Sequence, residues 1–308
     1  MLSFRSPDWH TRRLASVRWT DMPANARFIF ALDEVEDRAN PAVWRDGIAA
    51  SPERCVAILS SDESSLTYRL GSQEMKVGLT DHASLSLITG TADVFIDVSG
   101  LPHSVWAPLL KTALLEANSV RLMYFEPSSY RHHASPSSAS LFDLSASFLG
   151  VQPLPGFANL VGPSDESDAL FVPFLGFEGS RARQVSMTLD PIPKVIPVVG
   201  LPGFKLQYPQ LALSCNQEFL EENGAEPMLR YAAANCPFEA YTVLDEIRRD
   251  HPRAYLYLAP IGTKPHAIGA VLYALDNPKD TEIMFDHPVK SQGRSSGVGM
   301  IHIYTVKG

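Results

Sequence analysis

The sequence predicts an α/β protein built from two Rossmann-like halves, each a mostly parallel sheet with flanking helices. Composition is the first observation: 45% of the 308 residues are apolar and 19% are charged, which is enough for a packed core and excludes global disorder. Order is the second, because apolar runs of strand length alternate with runs of helical length in both halves. A serine- and proline-rich stretch between the halves is the third, and it indicates a domain boundary.

The first half is predicted to span residues 27–130. "RFIFALDE" and "CVAILSS" are typical of buried strands, and "NPAVWRDGIAAS" between them is typical of a helix, with Asn40 as N-cap and Pro41 in the first turn. "LTYRL" and "EMKVGL" alternate as in a hairpin. Residues 94–125 then give strand, helix and strand, which is the order of a βαβ unit.

The second half is predicted to span residues 166–308. "ALFVPFLG" indicates a strand that leads through a Gly-Phe-Glu-Gly turn into a helix, and "KVIPVVG" indicates a second strand. "PFEAYTVLDEIRRDHP" is amphipathic, since Tyr241, Leu244 and Ile247 fall on one helical face and Pro252 stops the helix. "AYLYLAP", a helix and "TEIMFDHP" follow, and "MIHIYTV" predicts a last strand.

Two further segments complete the predicted organisation. Residues 1–26 are expected to form an N-terminal arm, in which the basic residues either pack on the body or make a small surface-binding helix. Residues 131–165 are expected to form a linker or exposed loop.

Charge and motif content exclude several classes of protein. A net charge of −8 argues against bulk nucleic-acid binding, and there is neither an apolar run long enough to span a membrane nor a signal-peptide pattern. The cysteines, of which there are 3, have no CxxC spacing, as expected of reduced thiols in a cytoplasmic protein. Acids such as Asp33, Glu34 and Asp97 end strands without the spacing of a metal site, so no metal and no cofactor are predicted. GxSxG, HExxH and GxGxxG do not occur.

The best candidate for a ligand site lies in "YLAPIGTKPHAIGAVLYAL". Here Gly262 would allow close backbone approach, Thr263 would cap the next helix and Pro265 suits its first turn. Lys264 would add positive charge beside free amide groups, and His266 would add a donor. The alternative is an ordinary turn between a strand and a helix, in which the same residues only shape the backbone.

Other residues at predicted strand ends extend this site. Because ligands of open α/β sheets bind beyond the carboxyl ends of the strands, the loops in the second half that carry glycines or basic residues are candidates. The predicted ligand-binding residues outside the Gly-Thr-Lys turn are Gly176, Glu178, Arg181, Gly203, Lys205 and Arg294. Glu178 would accept a ribose hydroxyl or else pair with Arg181, and Arg294 would lie in a lid over the anion or in a hairpin connection.

Catalytic candidates are fewer. Asp286 and His287 follow a predicted strand, and His302 lies in the last one; such groups can transfer protons within hydrogen-bond reach of a substrate. Adjacent residues on a strand point to opposite faces, which argues against a simple dyad of Asp286 and His287.

The Gly262-Thr263-Lys264 turn, with its apolar strand and helix, resembles the nucleotide-sensing Rossmann-like domains of the CARF and SAVED families. A SAVED module is itself a fused pair of such units. The longer pattern "LGFEGSR…GLPGF…APIGTKPHAIGA…FDHP" resembles a bacterial, defence-associated relative. The resemblance implies binding of a nucleotide or oligonucleotide signal and a protein partner that carries an effector activity. Ile261 stands where such turns often have a second glycine.

The expected function is therefore a cytoplasmic binding or sensor protein, with a nucleotide or other phosphorylated small molecule in the C-terminal half and a role in antiviral defence. Two alternatives stay open at this stage. One is a nucleotide or sugar-phosphate hydrolase or transferase that uses the same crevice. The other is a non-catalytic subunit of a multi-protein complex.

Overall fold

The computed structural model describes residues 4–32, 36–137, 140–159, 162–163, 168–190 and 193–308. The chain forms two compact units. One, the terminal unit, contains residues 2–130 and 292–308, and the other, the inserted unit, contains residues 131–291. Asp33 and Glu34, which end a predicted strand, lie outside the described residues.

The terminal unit carries the first three helices. Its elements are β1 (His10–Leu14), β2 (Ala26–Ala31), α1 (Ala42–Ala50), β3 (Cys55–Ser61), β4 (Ser65–Leu70), β5 (Gln73–Gly78), α2 (His82–Thr89), β6 (Asp93–Asp97), α3 (His103–Glu116) and β7 (Ser119–Tyr130).

The inserted unit follows along the chain. Its elements are β8 (His132–Ser137), β9 (Ser140–Phe142), β10 (Ser145–Phe148), β11 (Gln152–Pro153), β12 (Ala169–Pro173), α4 (Gly179–Ser186), β13 (Lys194–Val195), β14 (Val198–Gly200), α5 (Tyr208–Cys215), α6 (Gln217–Glu222), β15 (Arg230–Ala232), α7 (Pro237–Asp250), β16 (Tyr255–Ala259), α8 (Lys264–Asp276), β17 (Thr281–Phe285) and β18 (Pro288–Lys290). The last strand, β19 (Ser295–Lys307), returns to the terminal unit.

The sheet of the terminal unit has the order β1-β19-β7-β6-β2-β3-β4-β5. Its middle strands β7, β6, β2 and β3 pair in parallel, and α1 and α3 connect them along the chain. Antiparallel pairs continue the sheet on both sides, through β4 and β5 on one and through β19 and β1 on the other. The predicted hairpin of "LTYRL" and "EMKVGL" is thus present as β4 and β5.

The sheet of the inserted unit has the order β11-β17-β16-β12-β13. Strands β17, β16, β12 and β13 pair in parallel, and β11 is antiparallel at the edge. Strands β14 and β15 form a parallel ribbon, and a parallel bridge between Val198 and Phe174 connects it to the end of β12. The α/β class is therefore confirmed, with several sheets in one chain.

Three predicted boundaries differ from the structure. The last strand, predicted in the second domain, pairs with β7 and β1, so it belongs to the terminal unit. The arm of residues 1–26 contains β1, an edge strand, and the first residue of β2. The linker of residues 131–165 contains β8 to β11, of which β10 pairs with β18 and β11 with β17. Each difference comes from pairing between residues far apart in sequence.

Aromatic side chains fill the core of the terminal unit. Phe30 stacks on Trp44 with ring centroids 4.8 Å apart, and Phe28 stacks on Phe95 at 5.2 Å. Phe125 meets the edge of Trp44 from β7. Full burial of each such ring is worth roughly 2–3 kcal/mol.

Helices α7 and α8 pack closely in the inserted unit. A Cβ atom at Gly269 would lie 2.3 Å from the carbonyl oxygen of Pro237, so only glycine fits at this crossing. Tyr241, Leu244 and Ile247 of α7 are all buried, which confirms the apolar face predicted for α7. Both helices begin at the carboxyl edge of the parallel strands, because they follow β15 and β16.

Within the described residues, no helix is both long and apolar enough to cross a membrane. The cysteines are free thiols, of which Cys55 and Cys215 are buried and Cys236 is half-buried.

Candidate ligand-binding site

The winding of the inserted unit reverses between β12 and β16. From β12 the chain passes to β13 and β14 on one side of this strand and later returns to β16 on the other. In open α/β sheets, ligands bind at such a reversal, beyond the carboxyl ends of the strands. The loops in question run from residue 174 to 178 and from 260 to 263.

Gly176 and Gly262 hold these two loops against each other. A Cβ atom at Gly176 would lie 2.9 Å from the carbonyl oxygen of Ile261, and one at Gly262 would lie 2.8 Å from that of Leu175. Such distances leave no room for a side chain, so both positions require glycine. The two predicted glycines therefore meet at the reversal point, where they pack backbone on backbone.

Thr263 caps α8, as the sequence predicts. Its Oγ1 accepts a hydrogen bond from the backbone N–H of His266 at 3.3 Å and donates to the carbonyl oxygen of Ala234 at 2.7 Å. Lys264, the first residue of the helix, is half-buried, and Pro265 follows it in the first turn. The helix therefore starts with a positive side chain beside the positive end of its dipole.

His266 is fully buried under this turn. Its Nε2 lies 3.1 Å from the carbonyl oxygen of Ala233 and 3.3 Å from that of Ala232, so Nε2 carries the proton and donates it. Burial lowers the pKa of the ring to about 4, against a smaller opposite effect of these hydrogen bonds. The ring is therefore neutral at physiological pH and ties α8 to the end of β15.

Arg181 lies at the centre of a buried ion cluster. Its Nε and Nη2 each donate to the carboxylate of Asp286 at 2.7 Å, and Nη1 donates to the carbonyl oxygen of Ile261 at 3.0 Å. Glu178 lies 3.6 Å from Nη1. Burial by itself lowers the pKa of the guanidinium, but the hydrogen bond and the charge of Asp286 outweigh it and hold the pKa above its usual value.

We call Arg181, Asp286 and Glu178 the Arg181 cluster. The sequence predicts that Arg181 neutralises a ligand, but here its charge is shared between two carboxylates of the unit itself. Arg181 also has a second role, because the hydrogen bond from its Nη1 to the carbonyl oxygen of Ile261 holds the loop in front of α8. Glu178 also accepts a hydrogen bond from Ser145 Oγ at 2.9 Å, and its predicted ribose contact stays a prediction.

The first turn of α4 is covered by the chain. A Cβ atom at Gly179 would lie 1.8 Å from the carbonyl oxygen of Cys215, so the junction of α5 and α6 lies directly on the start of α4. Asn216 in this junction donates through Nδ2 to the carbonyl oxygen of Gly176 at 2.8 Å. Of the two helices that flank the reversal point, α8 is therefore the better place for a ligand.

Gly203 and Lys205 lie in the loop that follows β14. A Cβ atom at Gly203 would lie 2.8 Å from Pro209 Cδ, and Lys205 Nζ lies 5.6 Å from the centre of the Tyr208 ring. This loop leaves the same carboxyl edge, because β14 runs parallel to β12. Leu206 at its tip is fully exposed.

Two of the predicted site residues belong to the other unit. Arg294 pairs with Glu36, with Nε and Nη2 each 2.9 Å from the carboxylate, and its predicted place in a lid over the anion stays a prediction. His302 lies 3.1 Å from Glu126 through Nε2 and stacks on Tyr304. His302 lies on β19 and Arg294 directly precedes this strand, whose pairing with β7 was not visible in the sequence.

Asp286 and His287 are the remaining catalytic candidates. Asp286 is held by Arg181, whereas His287 has a positive φ of 46° and places its ring 5.4 Å from that of Phe285. Among the described residues, no group of three or more His, Cys, Asp and Glu side chains is placed to hold a metal ion.

Two buried polar side chains, Asn216 and Glu36, were not predicted from the sequence. Asn216 reaches Gly176 across 40 positions of the chain. Glu36, in the terminal unit, accepts from Arg38, Arg294 and Ser295 Oγ, the last at 2.6 Å. We call these four residues the Glu36 cluster. Burial raises the pKa of Glu36, but the two guanidinium groups outweigh it and hold the pKa far below its usual range.

No protein-family model matches this chain, and no curated protein shows a significant match to it. The function is therefore inferred from the residues and geometry of the chain itself.

Proposed function

We propose that the inserted unit binds a nucleotide or another phosphorylated small molecule at its carboxyl edge, in front of α8, and that the chain acts as a binding or sensor protein. The observation that carries this proposal is the meeting of the two glycine loops at the reversal point. Gly176 and Gly262 bring the backbones that follow β12 and β16 into contact just where open α/β sheets bind ligands.

Strand order supports a Rossmann-like reading of this unit. If β12, β14, β15, β16 and β17 are numbered 1 to 5 along the chain, their order in space is 3-2-1-4-5. This is the order of doubly wound dinucleotide-binding folds, whose crevice lies between strands 1 and 4. In the terminal unit, β2, β3, β6 and β7 follow the order 2-1-3-4, which is the flavodoxin-like variant. Both orders fit the proposal of two Rossmann-like halves.

The positions of the basic side chains support binding of an anion at the start of α8 and not at the start of α4. Lys264 stands in the first turn of α8, where the helix dipole and a cation act in the same direction. Lys205 adds positive charge in the neighbouring loop of the same edge. Arg181 is neutralised by its own cluster, and the start of α4 is covered by Cys215.

The position of the Gly262-Thr263-Lys264 turn is consistent with the resemblance to nucleotide-sensing CARF and SAVED domains. The turn lies between a parallel strand and a helix, as in the pattern that suggested the family. Under this proposal a separate protein, which carries the effector activity, would recognise the ligand-bound form of this chain. The hydrolase or transferase alternative has less support, since Asp286 is buried and its carboxylate is paired with Arg181.

The test is binding by the full chain. Native mass spectrometry of the purified protein would detect a co-purifying molecule, and calorimetric titration would screen nucleoside mono- and triphosphates, cyclic nucleotides, short oligoribonucleotides and ribose 5-phosphate. Lys264→Ala is expected to weaken the ligand that binds by about tenfold, because one charge-assisted contact is lost.

Lys279→Ala is the matched control. Lys279 is exposed in the connection before β17, at the opposite end of the parallel strands, so its loss should leave the affinity unchanged. Absence of any bound or binding molecule would reject the proposal. Equal weakening by both substitutions would reject the site and leave only a general effect of charge.

A further inference from the structure

Two buried acceptor atoms lie beside the loops of the proposed site. His266 and Asn216 have 0% and 1% of their surfaces exposed, and neither His266 Nδ1 nor Asn216 Oδ1 has a hydrogen-bond partner among the described residues. Unpaired buried acceptors destabilise a fold, so two of them at one edge require an explanation.

The hydrogen bonds of each side chain fix which atom is the acceptor. His266 Nε2 faces two carbonyl oxygens and must carry the proton, which leaves Nδ1 with a lone pair. Asn216 Nδ2 donates to the carbonyl oxygens of Gly176 and Ala212, both at 2.8 Å, which leaves Oδ1 as the free end of the amide. Both atoms therefore need a donor and would repel an anion.

Each side chain is attached to a loop at the reversal point. Asn216 holds Gly176 directly, and His266 belongs to the first turn of α8, whose cap lies next to Gly262. On its other side the His266 ring faces Gly200 at the end of β14, since a Cβ atom there would lie 3.5 Å from Cε1.

We propose that His266 Nδ1 and Asn216 Oδ1 are specificity-determining acceptors for hydroxyl or amino groups of the ligand. This inference rests on the proposed function and sharpens it. Lys264 and the start of α8 take the anionic group, and the two acceptors select a phosphate that carries a sugar or base over inorganic phosphate.

His266→Gln separates the two nitrogens of the ring. The glutamine amide places its NH₂ group near the position of Nε2, so the bonds to Ala232 and Ala233 survive while the Nδ1 acceptor is lost. With AMP as the probe, affinity is expected to fall about tenfold, whereas the weaker binding of inorganic phosphate should not change. Lys264→Ala should weaken both probes.

A second measurement uses the unsubstituted protein. In a ¹⁵N-histidine-labelled sample, the Nδ1 resonance of His266 should move toward the hydrogen-bonded range with AMP and stay in place with phosphate.

The outcomes separate this inference from the function on which it rests. If AMP binds while Nδ1 does not move and His266→Gln has no effect, the acceptor role is wrong and the binding site stands. A Nδ1 resonance already in the hydrogen-bonded range before AMP is added would also overturn the inference. If neither AMP nor phosphate binds, the inference fails, and the wider ligand screen then decides the proposed function.

Discussion

The two units bury ion clusters of opposite composition. In the Arg181 cluster one guanidinium lies between the carboxylates of Asp286 and Glu178, whereas in the Glu36 cluster one carboxylate lies between the guanidinium groups of Arg38 and Arg294. The first leaves an excess of negative charge beside the proposed site, and the second leaves an excess of positive charge. A basic residue at a strand end is thus not an anion-binding site in itself, because the net charge there also depends on the side chains that pair with it.

The clusters also differ in what they connect. Arg181 joins the first turn of α4 to the loop before α8 and to the end of β17, so it supports the proposed site. Glu36 joins the connection after β2 to Ser295 in the last strand, 259 positions away in sequence, so it holds that strand in the terminal unit. Buried arginine and carboxylate groups thus hold a loop in the inserted unit and the C-terminal strand in the terminal unit.

The largest effect is expected from Arg181→Met. The substitution leaves the buried carboxylate of Asp286 without a counter-charge, which typically costs about 3–5 kcal/mol. Urea denaturation would measure the free energy of unfolding, with Arg183→Met as the control, because Arg183 pairs with carboxylates at the surface. Adding Asp286→Leu should restore much of the loss, and a double variant no more stable than Arg181→Met would contradict this account.

A somewhat smaller loss, about 2–4 kcal/mol, is expected from Glu36→Gln at neutral pH. Arg38 then remains buried, but its Nη1 still donates to the carbonyl oxygen of Phe125, and Arg294 is partly exposed to water. Glu74→Gln, which breaks an exposed pair with Arg69, is the control and should cost less than about 1 kcal/mol.

Acidic pH should remove the difference in stability between the natural protein and Glu36→Gln. Because the pKa of Glu36 is lower in the folded protein than in the unfolded chain, its contribution is complete above the ordinary glutamate pKa of about 4.3 and is lost as the pH falls toward the folded value. The stabilities of the natural protein and Glu36→Gln should therefore converge below that pH. A gap that stays constant on acidification would show that the carboxylate charge is not the cause.

The smallest effects are expected from the serines that donate to the two clusters. Ser295 Oγ donates to Glu36 at 2.6 Å and is buried, whereas Ser145 Oγ donates to Glu178 at 2.9 Å and is half-buried. Ser295→Ala is expected to cost about 1.5 kcal/mol and Ser145→Ala about 0.5 kcal/mol in thermal or urea unfolding. The opposite ranking would mean that the Glu36 carboxylate is satisfied without its serine.

Local patterns predicted local structure well. The cap at Thr263, the proline in the first turn of α8 and the buried face of α7 all follow from residues within a few positions of each other. By contrast, the serine-rich segment predicted as a linker contains β10 and β11, because strand pairing with β18 and β17 depends on residues more than a hundred positions away.

The chemistry of the candidate site was less predictable than its location. The sequence predicted Arg181 and Lys264 after the ends of two strands, and the fold pairs these strands as β12 and β16. The sequence did not predict that Asp286 neutralises Arg181 or that Cys215 covers the start of α4. Those contacts join elements that the chain reaches only after further strands and helices.

By itself the sequence determined the α/β class, most of the central strands and helices, and the glycine turn before α8, since these depend on hydrophobic periodicity and on backbone preferences of single residues. Only the tertiary structure decided that β19 closes the terminal unit, which carboxylate pairs with each arginine, and which helix start is covered. The reason is physical: a side chain carries its charge and donors wherever it lies, but whether they are already used depends on groups that folding brings to within 3 to 4 Å.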